Sequence, residues 1–106
     1  MPKRILLTAD EGNTVGLLAQ RIKLARLRRN LSQAEMAERA GMGRLAYIEI
    51  EKGNSGASIA ALVKVLAVLG YPDRLATLLE SDPLGEDLEA VHGRKRAGGR
   101  RDVEDF

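Results

Sequence analysis

Apolar residues along this chain recur at intervals of three and four rather than in alternation, the spacing of helices that each bury one face. The first such pattern predicts a helix over residues 14–29, with Thr14 as its N-cap and Leu17, Leu18, Ile22 and Ala25, joined by Leu24, as its apolar stripe. Asn30 is a natural stop, because asparagine tolerates the left-handed conformation that closes helices. Ser32 then caps a second helix, and Glu35 three residues on completes a capping box; Ala34, Met36, Ala37 and Ala40 are its apolar positions and Gly41 ends it. A third short helix follows over 44–52, and the Gly-Asn-Ser-Gly run at 53–56 reads as a loop. Ser58 caps a fourth helix whose face carries Ile59, Leu62, Val63, Leu66 and Leu69, with Gly70 at its end. Pro72 opens a fifth over 73–81, bearing Leu75, Leu78 and Leu79, which Pro83 and Gly85 interrupt; a further turn of helix is expected over 86–91.

The flanks are weaker. Residues 4–8, RILLT, have strand character, but five residues make no stable strand alone. A disordered arm, a strand completed by a partner subunit and a misplaced start are all compatible with them; a mobile arm over 1–13 is the reading adopted. The domain then spans 14–81, and 82–106 form a basic, largely disordered extension, with disorder expected throughout 93–106.

Composition narrows the class. Of 106 residues 44% are hydrophobic, yet the only aromatics are Tyr47, Tyr71 and Phe106, so the core is aliphatic and all-α. Cysteine is absent and His92 is the single histidine, which rules against disulfides, thiolate metal sites, a histidine zinc site and a His-dependent triad. No cofactor and no metal are expected. Glu86, Asp87 and Glu89 are plentiful carboxylates in a polar segment, but nothing pairs a nucleophile with a base, so an enzyme is not expected. No apolar run reaches membrane-spanning length and no signal-peptide core is seen, so a cytoplasmic, nucleoid-associated protein is the expectation.

The net charge of +2 hides segregation. Arg21, Lys23, Arg26, Arg28 and Arg29 form one basic cluster and Arg94, Lys95, Arg96, Arg100 and Arg101 another, while acids gather at 82–89 and 102–105. Local basic patches are the footprint of phosphate binding; the bland reading of the same residues is a solvated helix face and a soluble tail.

The order of these pieces is recognisable. Ile22, Arg26, LSQAEMA at 31–37, Ala40-Gly41, IEKG at 50–53 and SIAALVKVLAVLG at 58–70 resemble the Cro/C1-type (XRE-like) helix-turn-helix regulators, with the spacing intact. The resemblance implies a five-helix, lambda-repressor-like DNA-binding domain whose third helix enters the major groove. A narrower similarity, at KGNSGASI (52–59), DRL (73–75) and DPLG (82–85), is to HipB-like antitoxins, the DNA-binding partners of HipA-type kinase toxins.

Carried onto this chain, the resemblance implies base contacts from Arg44, Leu45 and Glu49. Arginine pairs with guanine, leucine packs on a thymine methyl and glutamate accepts from cytosine. Gln33, Lys52 and Asn54 are the implied individual phosphate contacts, with Arg28 and Arg29 acting in the basic patch. Arg26 and Glu51 are the implied structural ion pair beneath the turn. Three departures stand out: Gly43 where the family usually caps with serine or threonine, Tyr47 for a β-branched aliphatic, and Ile48 at a position often polar. The implied function is a repressor that binds double-stranded operator DNA as a homodimer through residues 66–91, with a HipA-like toxin as partner. The competing reading is an interaction module that sequesters a protein without reading DNA, which the apolar run Leu45-Ala46-Tyr47-Ile48 favours.

Overall fold

The computed structural model describes residues 5–97. It contains five α-helices and, among the described residues, no strand: α1 (Ala9–Arg28), α2 (Gln33–Ala40), α3 (Arg44–Glu51), α4 (Ile59–Leu69) and α5 (Pro83–Ala97), with a single 3-10 turn at Arg74–Thr77. The chain divides into two compact units, one ending at Leu75 and the other beginning at Ala76.

In the first unit α2 packs against α3 and α4, and α1 packs against α3. Their shared core is Ile22, Leu31, Met36, Ala37, Tyr47, Ile50, Val65 and Leu69, ringed by half-buried residues including Ala25, Met42, Leu62 and Leu66. Met36 and Val65 are wholly enclosed, and burial of such side chains stabilises by about 1.5–3 kcal/mol each.

α1 begins earlier than its sequence pattern predicts. Thr8 is the N-cap: its hydroxyl accepts from the Glu11 amide (3.1 Å) while the Glu11 carboxylate accepts from the Thr8 amide (3.0 Å). This capping box, with Asp10 and Glu11 in the first turn, carries the helix through Gly12 and Asn13. Thr14 is therefore interior, its hydroxyl bonded back to the Asp10 carbonyl. Residues 5–8 form no strand, and 1–4 lie outside the described residues.

The buried face of α1 also differs from prediction. It is Ala19, Ile22 and Arg26, while Leu17, Leu18 and Leu24 are 41–46% exposed. Small residues occupy the Gly16–Ala19 part of this face because the loop after α3 comes in close. A Cβ built on Gly53 (φ 83°) would sit 3.6 Å from the Gly16 Cα and 3.9 Å from the Ala19 Cβ, so no leucine fits between them. Asn30 does close the helix, with φ 57°.

α4 starts at its serine cap, the Ser58 hydroxyl accepting from the Ala61 amide (3.1 Å), and ends at left-handed Gly70. Val65 and Leu69 are its buried residues; Ile59, in the first turn, is 75% exposed.

The second unit overturns the prediction for residues 73–81. Only one 3-10 turn forms there, Leu79 adopts φ 65°, and Leu78 and Leu79 are exposed. Pro83 and Gly85 start a helix rather than interrupt one. Asp82 caps α5 by accepting from the Gly85 amide (2.9 Å), and proline at the first helical position loses no hydrogen bond because that amide has no partner inside the helix. Any Cβ at position 85 would collide with the Asp82 carboxylate, so glycine is what lets the cap close. The disorder expected over 93–106 fails for 93–97, which continue α5; 98–106 lie outside the described residues.

Candidate nucleic-acid interface

The helix-turn-helix is assembled from α2, the turn at Gly41–Gly43 and α3. Ser32 and Glu35 make the second capping box of the chain, the Ser32 hydroxyl accepting from the Glu35 amide (3.0 Å) and the Glu35 carboxylate from the Ser32 amide (2.8 Å). These bonds to Ser32 hold the Glu35 carboxyl below its usual range. Gly41, at φ 71°, reverses the chain, and the Met42 amide donates to the Ala37 carbonyl (3.0 Å). Gly43 opens α3 with no side-chain cap.

Beneath α3 lies a polar hub. Arg26 donates from Nε to Glu51 Oε2 (2.6 Å), from Nη2 to Oε1 (3.0 Å) and from Nη1 to the Leu31 carbonyl (2.8 Å). The side chains of the pair are 8% and 4% exposed. Gln33 Nε2 donates to Glu51 Oε1 (3.1 Å), and the Tyr47 hydroxyl donates to Oε2. One carboxylate thus ties the end of α1, the start of α2 and both ends of the last turn of α3. Burial by itself would raise the Glu51 carboxyl, but the hydrogen bonds from Arg26, Tyr47 and Gln33 outweigh it and hold it below the usual range. The same bonding raises Arg26, and burial followed by the bond to Glu51 raises the Tyr47 phenol.

With Tyr47, Ile50 and Glu51 turned inward, the outer face of α3 is Leu45, Glu49 and Lys52, flanked by exposed Arg44 and Ala46 and half-buried Ile48. Leu45 is 76% exposed. Glu49 is held from two sides: Asn54 Nδ2 donates to its Oε1 (3.0 Å), and Lys52 Nζ lies 3.7 Å from Oε2.

The residues singled out from sequence therefore fall into three groups. Arg26, Glu51 and Gln33 meet in the hub, with the Gln33 amide turned to Glu51. Glu49, Lys52 and Asn54 form a surface cluster beside Arg44 and Leu45. Arg28 is exposed in the last turn of α1, while Arg29 bonds the Ala25 carbonyl (2.7 Å) and lies 5.9 Å from the centre of the Tyr71 ring. Sequence reasoning missed two participants. Tyr47 as a partner of Glu51 was signalled by their i, i+4 spacing. The stacking of Arg74 on Tyr71, 4.0 Å from the ring centre, had no sequence signal.

A left-handed glycine turn between two short helices, with the second helix pinned from below and open outward, defines a helix-turn-helix DNA-binding regulator. Residues 22–75 match the family model described as helix-turn-helix, and the chain belongs to this family, of Cro/C1 (XRE-like) type and lambda-repressor-like fold. No curated protein and no solved structure matches the chain. Among the described residues no group of three or more His, Cys, Asp or Glu could hold a metal ion, and no helix is long and apolar enough to cross a membrane.

Proposed function

We propose that this regulator is a sequence-specific transcriptional repressor that binds operator DNA at the nucleoid as a homodimer. The observation that carries the reading is the outer face of α3, where Arg44, Leu45, Glu49 and Lys52 are all exposed above a buried Arg26–Glu51 pair that fixes the helix beneath them. Arg44 pairs with guanine, Leu45 packs on a thymine methyl and Glu49 accepts from cytosine, each contributing on the order of 1–3 kcal/mol of discrimination. Lys52, Arg28 and Arg29 supply phosphate contacts, which set affinity and its salt dependence. The second subunit docks through residues 66–91, a segment in which Leu78, Leu79, Leu84, Leu88 and Val91 expose apolar surface. The similarity at 52–59, 73–75 and 82–85 supports the further reading that the protein is the autoregulatory antitoxin of a HipA-type kinase.

A second reading, a module that sequesters a protein partner without reading DNA, is favoured by one observation: the apolar side chain of Leu45 is 76% exposed on α3. Selection of full-length protein on random duplex DNA, followed by titration at two salt concentrations, separates the two. A repressor enriches one site and keeps its preference over random duplex as salt weakens both. Arg44→Ala relaxes that preference at one base pair. Failure to enrich any site leaves the sequestering module, and a kinase-like neighbouring gene product that neither binds nor is neutralised removes the antitoxin reading.

A further inference from the structure

Asn54 sits in the loop after α3, where the family resemblance makes it a phosphate contact. Its side chain is engaged elsewhere. Oδ1 accepts from the Gly56 amide (2.8 Å) and Nδ2 donates to Glu49 Oε1 (3.0 Å), while its own backbone amide donates to the Glu49 carbonyl (3.0 Å). The first bond fixes which way the carboxamide faces, since an amide N–H requires the oxygen and leaves the nitrogen for the carboxylate. We infer that Asn54 is a positioning residue, holding the Glu49 carboxylate ready to read a cytosine. The inference rests on the DNA-reading function proposed above.

Three features connect this geometry to base choice. A glutamate on a helix surface has several rotamers to lose on binding, and a bond from a loop anchored at Gly56 removes part of that loss beforehand. Lys52, 3.7 Å from Oε2, offsets the repulsion a bare carboxylate meets among phosphates. The Glu49 side chain nevertheless remains 48% exposed, and an ionised carboxylate offers about four acceptor sites, so it can still accept from a donor in the groove. Guanine and thymine present acceptors at their major-groove edges, and adenine sets an acceptor beside its amino group. Cytosine alone offers a donor, N4, with no acceptor on its own major-groove edge.

The test begins with the site enriched by the wild-type full-length chain. Glu49→Gln identifies the base pair read by position 49, because glutamine's amide moves the preference from cytosine toward adenine. Asn54→Ser keeps an acceptor for the Gly56 amide but is too short to reach Glu49. It is expected to lower the cytosine preference at that pair about fivefold, the lower end of what one base-reading pair contributes. It leaves the slope of affinity against salt unchanged, and it adds nothing further in the Glu49→Gln background. Asn54→Asp, which keeps the acceptor and sets a like charge against Glu49, serves if the serine variant folds poorly. Its readout is the ratio of affinities for the two bases, in which a uniform charge penalty cancels, and the ratio is expected to collapse. An unchanged preference in either folded variant overturns the inference. So does a uniform loss across all sequences with the salt slope reduced by about one, the signature of a phosphate contact. A wild-type chain that enriches no site sinks the DNA-reading function itself, an outcome distinct from either.

Discussion

α2 and α3 are each eight residues long and sit on either side of one glycine turn, but they are held in place by different means. α2 carries its own ends: a reciprocal Ser32–Glu35 box at the start and a left-handed Gly41 at the finish. α3 has neither. It starts at an uncapped Gly43, ends at Lys52 in the ordinary helical conformation, and is anchored by Tyr47, Ile50 and Glu51 reaching into the rest of the unit. A helix this short is not stable by propensity alone, so the difference lies in where the compensation comes from. α2 adds polar caps at its ends to the core packing of Met36, Ala37 and Ala40; α3 has only the tertiary part, from below, which leaves its outer face open.

On that contrast, the largest loss comes from cutting the anchor. Arg26→Met leaves the buried Glu51 carboxylate with only Gln33 and Tyr47, and is expected to cost about 3 kcal/mol, the low end for breaking a buried pair. Urea unfolding monitored by circular dichroism measures it; a cost near that of an exposed pair, under about 1 kcal/mol, would mean that α3 is not held this way.

Acid should act on the same anchor next. Glu51 is lowered in the folded protein from an ordinary value of 4.5, so the stability it contributes is complete above that pH and is lost as pH falls through the lower folded value. Glu35 is lowered too, but it is fully exposed and its bonds are open to solvent screening. Urea midpoints between pH 6 and pH 3 should therefore fall less steeply in Glu51→Gln than in Glu35→Gln. The reverse order would place the acid sensitivity in α2.

The smallest effects separate the two helix starts. Ser32→Ala removes a working cap and should cost about 1 kcal/mol, whereas Gly43→Ser should add only a few tenths. The backbone at Gly43 is extended (φ −68°, ψ 151°) and a Cβ there meets nothing within 4 Å, so the serine fits. Thermal melts of both variants check the pair, and a gain at position 43 as large as the loss at 32 would erase the asymmetry.

The same asymmetry explains what was legible in the sequence. The boundaries of α2 and α4 were readable because they are written in adjacent polar caps and terminal glycines, but the buried face of α4 was not: the wholly enclosed Val65 lies outside the expected stripe, and Ile59, inside it, is exposed. The start of α1 was equally written, in Thr8 and Glu11, but the choice of Thr14 as the cap and of 1–13 as an arm passed over it. Its buried face was not legible, because an excess of leucines concealed that a glycine loop packs over Gly16 and Ala19, where only small residues fit. Residues 73–81 carried leucines at helical spacing but no core to receive them, and Pro83 and Gly85 were misread because their effect depends on Asp82 preceding them. At the interface the family pattern named single residues and the Arg26–Glu51 pair, but not the partners of Gln33 and Asn54. That Gln33 turns to Glu51 (3.1 Å), and Asn54 to Glu49 (3.0 Å), depends on which side chains the fold brings into hydrogen-bonding distance, and periodicity carries no such distances.

The close passage of Gly53 over Gly16 and Ala19 also acts as a gauge. It sets how far the loop bearing Lys52 and Asn54 stands from the long helix behind it, and so the height at which the reading helix is presented. A Cβ at position 53 would meet α1 only at ordinary contact distance, so what glycine supplies there is its left-handed φ of 83°: a substitution would disturb the height of the reading helix by straining that turn, not by wedging the loop away.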